Sequence, residues 1–323
     1  MIQSVNGGWL DGQYGVLSSL ISVGELYQRY GSPNIPLCVV SFSEEEGSRF
    51  DATFTGSRYL TRHLDPNIFN LVDQTGELFD HARQSAIIQL QRTVPIVAQA
   101  ITVKNYIELH IEQGNILTQN MESLGIVTAI VGQKRLLITT KGVSNHAGTT
   151  PMARRSDAMP RAVKIMDKLY TTLENVADLR YTIGKITVLP NETNVIPSKV
   201  EFSLDMRHAS QKQLEEALKQ VIRITKDGQG TYQVTTDVLA TDLDSQLVSS
   251  LQCVVSDARK SGYLMISGAG HDAQVLSLSG IPSVMLFVPS QKGISHTPAE
   301  NTSSQHLLLG QQMLQAYLKK MAY

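Results

Sequence analysis

The sequence predicts an α/β fold with a second, smaller α+β unit inserted into it, on three observations. A helical apolar pattern over residues 16–27 is followed by a short apolar run at 37–42, a helix-then-strand order that suits a buried sheet. Between about 132 and 242 the pattern reads strand, helix, strand, strand, helix, strand, the order of two β-α-β units in a compact ferredoxin-like layer. After 243 helix and strand resume, so the smaller unit is an insertion and the expected boundaries are 1–131, 132–242 and 243–323.

Residues 6–15, NGGWLDGQYG, carry four glycines and one acidic residue just before the first helix. Glycine permits close backbone approach there, so Asp11 sits at a helix entrance either as a functional group or as the cap of that helix. Residues 37–42 read as a buried strand containing Cys38. It ends in Glu44, Glu45 and Glu46, with Gly47 to turn the chain. Carboxylates clustered at a strand end require solvent or a cation, and both readings stand at this point. Residues 51–63 read as loop and 81–92 as helix. Residues 106–114, YIELHIEQG, alternate, setting Ile107, Leu109 and Ile111 opposite Glu108, His110 and Glu112. An imidazole between two carboxylates suits metal ligation, and the same pattern also suits an edge strand with one polar face.

Residues 124–140 alternate again, and the small-residue loop at 142–151 places His146 between a strand and the helix at 152–173, where it is either a ligand-reaching imidazole or ordinary loop polarity. Strands are expected at 181–189 and 198–207, the second alternating Val200, Phe202, Leu204 and Met206 against Glu201, Ser203, Asp205 and Arg207. A helix at 211–224, a strand at 233–240 and a helix at 243–260 follow. A glycine-rich turn at 266–272 holds His271 and Asp272, residues 283–288 form a hydrophobic strand, and the loop at 293–300 presents His296. A last helix at 303–320 ends in Lys319 and Lys320, which complement its dipole.

The 323 residues are 42% hydrophobic with a formal net charge of -1, an enzyme-like balance with neither a polybasic nucleic-acid surface nor the acidity of a disordered chain. Two cysteines make no disulfide framework, and no stretch has the length of a membrane span or the pattern of a signal peptide, so a cytoplasmic protein with no membrane or nucleic-acid partner is expected. Repeats, phosphate loops and dinucleotide fingerprints are not seen.

Taken in order over nearly the whole chain, NGGWLDGQYG, EEEGSRF, ELHIEQG, VGQ, SNHAGTTPM, NVIP, LDMRH, GAGHDAQ and GISHTPAE closely resemble the allantoate amidohydrolase and N-carbamoyl-L-amino-acid hydrolase branch of the M20-like metallopeptidases. The resemblance implies a mixed-sheet, dinuclear metallohydrolase catalytic domain, with the ferredoxin-like insertion acting as lid and homodimer contact. It implies two divalent ions, Mn foremost and Zn as the alternative, with Asp11 bridging and Glu46, His110 and His296 as terminal ligands. Glu45 would be the general base. Arg207 would hold the carboxylate of a small ureido acid, with Asn194 and His146 as its neighbours, and His146 would stabilise the oxyanion, from this subunit or the other. Gln113 and His271 are further substrate-binding candidates.

Within the branch, VGQ and the neighbourhoods of EEEGSRF and SNHAGTTPM favour allantoate, whose ureido group would be hydrolysed to ureidoglycine, ammonia and carbon dioxide. N-carbamoyl-L-amino acids are the alternative. The family carries a Gly-Ser-His-x-Asp strand end just before the NGG loop, where this sequence has Ile2 in place of the aspartate. The resemblance therefore implies that a fifth ligand and the first strands fall outside this sequence, leaving one ion weakly held and a catalytically impaired homologue as a third reading.

Overall fold

The structure, a computed structural model, describes residues 7–95 and 101–323. Ile2 lies outside the described residues. The chain divides into two compact units, Met1–Ile130 with Asp242–Tyr323, and Val131–Thr241.

The first unit opens with α1 (Gln13–Tyr30), α2 (Thr55–Leu60) and α3 (Phe79–Gln91), then β1 (Tyr106–Ile111), the single turn α4 (Ile116–Gln119) and β2 (Gly125–Ile130). The second contains β3 (Gly132–Lys141), α5 (Ala158–Leu173), β4 (Arg180–Thr182), β5 (Ile186–Leu189), β6 (Lys199–His208), α6 (Gln211–Asp227) and β7 (Thr231–Val238). After the two-residue β8 (Thr241–Asp242), the first unit closes with α7 (Ser245–Asp257), β9 (Tyr263–Ser267), α8 (Asp272–Leu278), β10 (Ser283–Val288) and α9 (Ser304–Ala322).

In the first unit the sheet order is β1-β10-β2-β8, with β9 also on β2. β1 runs parallel to β10, β10 antiparallel to β2, and β2 parallel to β9, so the sheet is mixed. β10 reads SVMLFV and is buried at every position, as expected of a central strand covered on both faces. α1 lies so close to β1 that a Cβ on Gly15 would stand 2.3 Å from the Leu109 carbonyl oxygen. Only glycine permits that approach, and it brings the turn preceding α1 beside the middle of β1.

The second unit is an antiparallel sheet of order β4-β6-β3-β7, with β5 also on β6. β6 alternates half-buried and buried without a break, and Val200, Phe202, Leu204 and Met206 pack with the inner faces of α5 and α6 into a core of their own. Asp157 caps α5 by accepting from the Met159 N–H at 2.9 Å.

Several expectations are corrected. Residues 37–42 form no strand among the described residues, and Cys38 is exposed. An apolar run becomes a strand only when a neighbour pairs with it, and here none of the described strands does. The expected loop at 51–63 contains α2, which follows Phe54 in a left-handed conformation and has no side-chain cap to announce it. The strand expected at 181–189 is split into β4 and β5, and the turn expected at 266–272 is entered from β9. Asp11 does not cap α1, whose N-cap position is Gly12.

Candidate metal centre

All of the site described here lies within the first unit. His110 sits on β1, 7% exposed, with Nδ1 2.8 Å from the Ile111 carbonyl oxygen. That bond keeps a proton on Nδ1 and directs Nε2 at Asp11 Oδ1, 3.0 Å away. The other Asp11 oxygen, Oδ2, is 3.0 Å from His296 Nε2, which is also 3.1 Å from Glu46 Oε1. The two oxygens of Asp11 therefore face two different imidazoles, the placement a bridging carboxylate needs. His296 holds a left-handed backbone conformation at φ 58°, as do Glu44 and Gln113, a clustering of backbone strain that accompanies functional sites.

Two groups of metal-ligating side chains result, Asp11 with Glu46 and His296, and Glu108 with His110 and His271. The ligand atoms within each lie within 4.8 Å of one another. The groups adjoin through the contact between Asp11 and His110. His271 is buried at the mouth of α8, with Nε2 2.9 Å from Ser267 Oγ and Nδ1 3.5 Å from Glu108 Oε1, and its ring packs edge-on to His110 with centroids 4.8 Å apart. A cavity of about 580 Å³ is lined by Asp11, Glu45, Glu46, Glu108, His110, His271 and His296 among others.

Electrostatics show why these groups call for cations. Burial, reinforced by Glu46, Asp272 and Glu108, pushes the Glu45 carboxyl up to about 9. Burial and the charge of Glu108 raise Asp272 to about 7. Burial likewise raises Glu46, with His296 opposing it. Burial works against the charged forms of Asp11 and His110 as well, but their mutual hydrogen bond and attraction prevail, holding Asp11 down at about 2 and lifting His110 to about 9. Burial keeps His271 below its usual value, against the pull of Glu108. Carboxylates crowded into low dielectric, at the price of three raised carboxyls and a charged buried imidazole, are the donor set that divalent ions neutralise. Mixed carboxylate and imidazole donors fit Mn or Zn alike.

The remaining expected site residues fall in three places. Gln113 leaves β1 and its Nε2 bridges Asp11 Oδ2 at 2.8 Å and His296 Nε2 at 3.1 Å, so it links two candidate ligands. Glu112, expected to flank His110, turns away, and its carboxylate accepts the N–H groups of Ile116 and Leu117 at 2.6 and 3.0 Å. His146, Asn194 and Arg207 belong to the second unit. His146 is exposed on the loop after β3 and bridges to Val195, with the Ala147 N–H donating to the Asn194 carbonyl at 2.9 Å. Arg155 holds this loop by donating to the Thr150 and Ala147 carbonyls.

Arg207 is near the far end of β6 and pairs with Asp205 at 3.0 Å, not with Glu201. The register sets Lys141 opposite Lys199 and Gln133 opposite Arg207. Eight residues of strand, roughly 26 Å at strand rise, thus separate Arg207 from the end where His146 and Asn194 lie. The register therefore sets Arg207 and the segments carrying His146 and Asn194 toward opposite ends of β6. Sequence reading passed over Glu108 and Asp272 as site members, although the alternation of β1 and the His-Asp pair both pointed at them.

A mixed-sheet α/β unit with two adjoining carboxylate-imidazole groups has the donor set of a metal-dependent enzyme. Residues 4–320 match the peptidase family M20/M25/M40, and the chain belongs to that family. It is 38% identical over 330 residues to the allantoate amidohydrolase of Bacillus subtilis, covering 99% of this chain and 79% of that protein. It is 34% identical to the N-carbamoyl-L-amino acid amidohydrolase of Geobacillus stearothermophilus, covering 96% and 77%. A crystal structure of a hydantoinase/carbamoylase family amidase from Burkholderia multivorans superposes with a TM-score of 0.83 at 30% identity, covering 98% of this chain and 78% of that one. The protein is a metal-dependent amidohydrolase of this branch.

Proposed function

We propose that the protein hydrolyses the ureido group of allantoate, releasing ammonia, carbon dioxide and ureidoglycine. The observation that carries the hydrolytic reading is the split of Asp11 between His110 and His296 within a buried excess of carboxylates. Higher identity to an allantoate amidohydrolase than to an N-carbamoyl-L-amino acid amidohydrolase favours allantoate over carbamoyl amino acids.

Asp11, Glu46, His110 and His296 would hold two divalent ions, with Mn as our first choice and Zn second. Such ions supply Lewis acidity at the ureido carbonyl and lower the pKa of water. Glu45 receives the proton of the attacking water and returns it to the departing nitrogen, a task for a carboxylate that lines the same cavity as the ligand cluster. Arg207 pairs with the substrate carboxylate, and His146 and Asn194 bind the same substrate, His146 facing its developing oxyanion. Gln113 and His271 would orient substrate at the ligand cluster, a reading supported by the Gln113 contacts to Asp11 and His296 and by the packing of His271 on His110.

A separation of about 26 Å along β6 supports a homodimer in which His146 and Asn194 serve the partner's site. The inserted unit is read as a ferredoxin-like lid and dimer contact, a reading supported by its strand order with α5 and α6 packed into one core. Cytoplasmic location is favoured by two free, exposed cysteines. Among the described residues no helix is long and apolar enough to cross a membrane.

Ammonia release from allantoate by purified, Mn-supplied protein tests the reading, with N-carbamoyl-L-amino acids in parallel and bound metal quantified. Faster turnover of carbamoyl amino acids would transfer the assignment to that substrate, and two bound ions without turnover of either would refute both. Replacing Arg207 by Ala is expected to raise KM for the preferred substrate by at least about tenfold, as loss of a charged bidentate partner does. An unchanged KM removes Arg207 from the site.

A further inference from the structure

We infer that Glu300 is the positioning residue that sets Asp11 and His296 against each other and so fixes the geometry of the outer metal group. The inference rests on the reading of Asp11 and His296 as metal ligands. Those two side chains come from opposite ends of the sequence and neither stands on a regular element. Asp11 lies in the turn before α1, and His296 in the loop between the short 3-10 turn Gln291–Gly293 and α9. No sheet ladder holds either, so something else must define their separation.

Glu300 does so with a single buried carboxylate, 1% exposed. Its Oε1 accepts the backbone N–H of Leu10 at 2.9 Å and of Asp11 at 3.0 Å. Its Oε2 accepts the Ser295 hydroxyl at 2.7 Å and the backbone N–H of His296 at 3.3 Å. One oxygen thus grips the backbone of the first ligand and the other that of the second. The Glu300 carbonyl oxygen adds a third tie by accepting from Trp9 Nε1 at 2.8 Å.

A carboxylate offers about four lone-pair directions, and here four donors take them. Nothing is left with which Glu300 could itself ligate an ion, which separates its role from that of Glu46. The fit is close enough that a Cβ on Gly8 would stand 2.2 Å from the Glu300 Cδ and from both of its carboxylate oxygens. Glycine at position 8 is therefore required for the carboxylate to seat. Because burial makes this carboxylate's four accepted hydrogen bonds expensive to break, the strap is a fixed structural tie rather than a passing contact.

The test is titration of chelator-stripped full-length protein with Mn²⁺ alone and Zn²⁺ alone by calorimetry, with circular dichroism and thermal melting on every sample. Glu300→Gln keeps the shape but turns one acceptor into a donor facing N–H groups. It is expected to weaken the tighter ion by 10- to 100-fold, about the effect of losing an outer partner of a metal ligand, with the far-UV spectrum retained.

Gly8→Ala, which forces the carboxylate aside, is expected to do the same. In a Glu300→Ala background, Gly8→Ala is expected to cost nothing further, because its collision partner is gone. Tyr317→Phe, which removes a buried hydroxyl 3.1 Å from the Leu247 carbonyl oxygen, is the control for a loss of stability away from the site. It should lower the melting point and leave ion affinity unchanged.

Wild-type affinity in Glu300→Gln overturns the inference while leaving the ligand assignment intact. So does additivity of Gly8→Ala with Glu300→Ala, or an affinity loss in Tyr317→Phe equal to that in Glu300→Gln. A wild-type protein that binds neither ion overturns the ligand reading and this inference with it.

Discussion

The two units solve the problem of placing side chains in opposite ways. In the second, β6 alternates without interruption, α5 and α6 present their apolar faces to it, and Asp157 and Ser210 cap those helices from within two or three residues. In the first, the groups that matter come from positions 11, 45, 46, 108, 110, 271 and 296, and the irregular segments among them are held by side-chain bonds to distant backbone. Local order in one unit stores stability. In the other, a crowd of buried carboxylates gives stability up in exchange for chemistry, and this is a difference that substitutions can expose.

The largest effect is expected at Glu45. Glu45→Gln should lower kcat by 10²- to 10⁴-fold, the usual worth of general acid-base catalysis, with bound metal unchanged. Because the native carboxyl is pushed up to about 9 chiefly by burial, the amide should also make the metal-free protein more stable. A variant that is slower, fully loaded and more stable would show the exchange directly. Normal turnover at normal metal content would sink the role given to Glu45.

Phe202→Ala probes the other side of the comparison. Phe202 is fully buried in the second core, and truncation should cost about 3–5 kcal/mol. The melting curve is expected to resolve into two transitions, with Mn²⁺ affinity retained by the first unit below the upper one. Loss of ion binding together with the second core would mean that the units do not fold independently, and the contrast drawn between them would break.

A pH series sharpens the comparison for the metal-free protein. Glu45 at about 9 and His110 at about 9 bind protons more tightly folded than unfolded. The stability they contribute is complete below their unfolded values and is lost as pH rises toward 9. Asp272, at about 7, acts in the same direction at lower pH. His271 is shifted down and acts oppositely, but only below its ordinary value of 6.5. Between pH 7 and 9 the stripped protein should therefore lose about 4 kcal/mol, roughly 2 kcal/mol from each of Glu45 and His110, measured as urea unfolding monitored by tryptophan emission and circular dichroism. Ions displace the same protons, so saturating Mn²⁺ should flatten the profile. A flat profile without metal would remove the electrostatic argument for the cluster.

The same contrast explains what could be read from sequence. The alternation over Val200 to Met206 is a period-two signal, and the strand lies where it is expected. Apolar content without alternation misled at residues 37–42, because pairing, not hydrophobicity, makes a strand. The motifs marked Asp11, Glu46, His110 and His296, whose side chains the fold brings together. They did not mark the strap at Glu300, the pairing of Glu108 with His271 or the release of Glu112 to cap α4, since each depends on contacts set by the tertiary fold. The separation of Arg207 from His146 was equally invisible, because it follows from antiparallel register rather than from composition.

The smallest effect expected is at Asp157. Its carboxylate accepts from Met159 N–H at 2.9 Å, so Asp157→Ala should destabilise the second unit by about 1 kcal/mol, while Asp157→Asn, an equally good cap, should restore nearly all of it. Neither residue shares a partner with the first unit's ligands, and both changes should add simply to Glu45→Gln in melting experiments, as sites without shared partners do. Coupling above about 0.5 kcal/mol between Asp157→Ala and Glu45→Gln would instead mean that a cap in the inserted unit is felt at the candidate metal centre. The two units would then be one cooperative structure with two styles of construction, and the local legibility of the second would hold without any independence of folding.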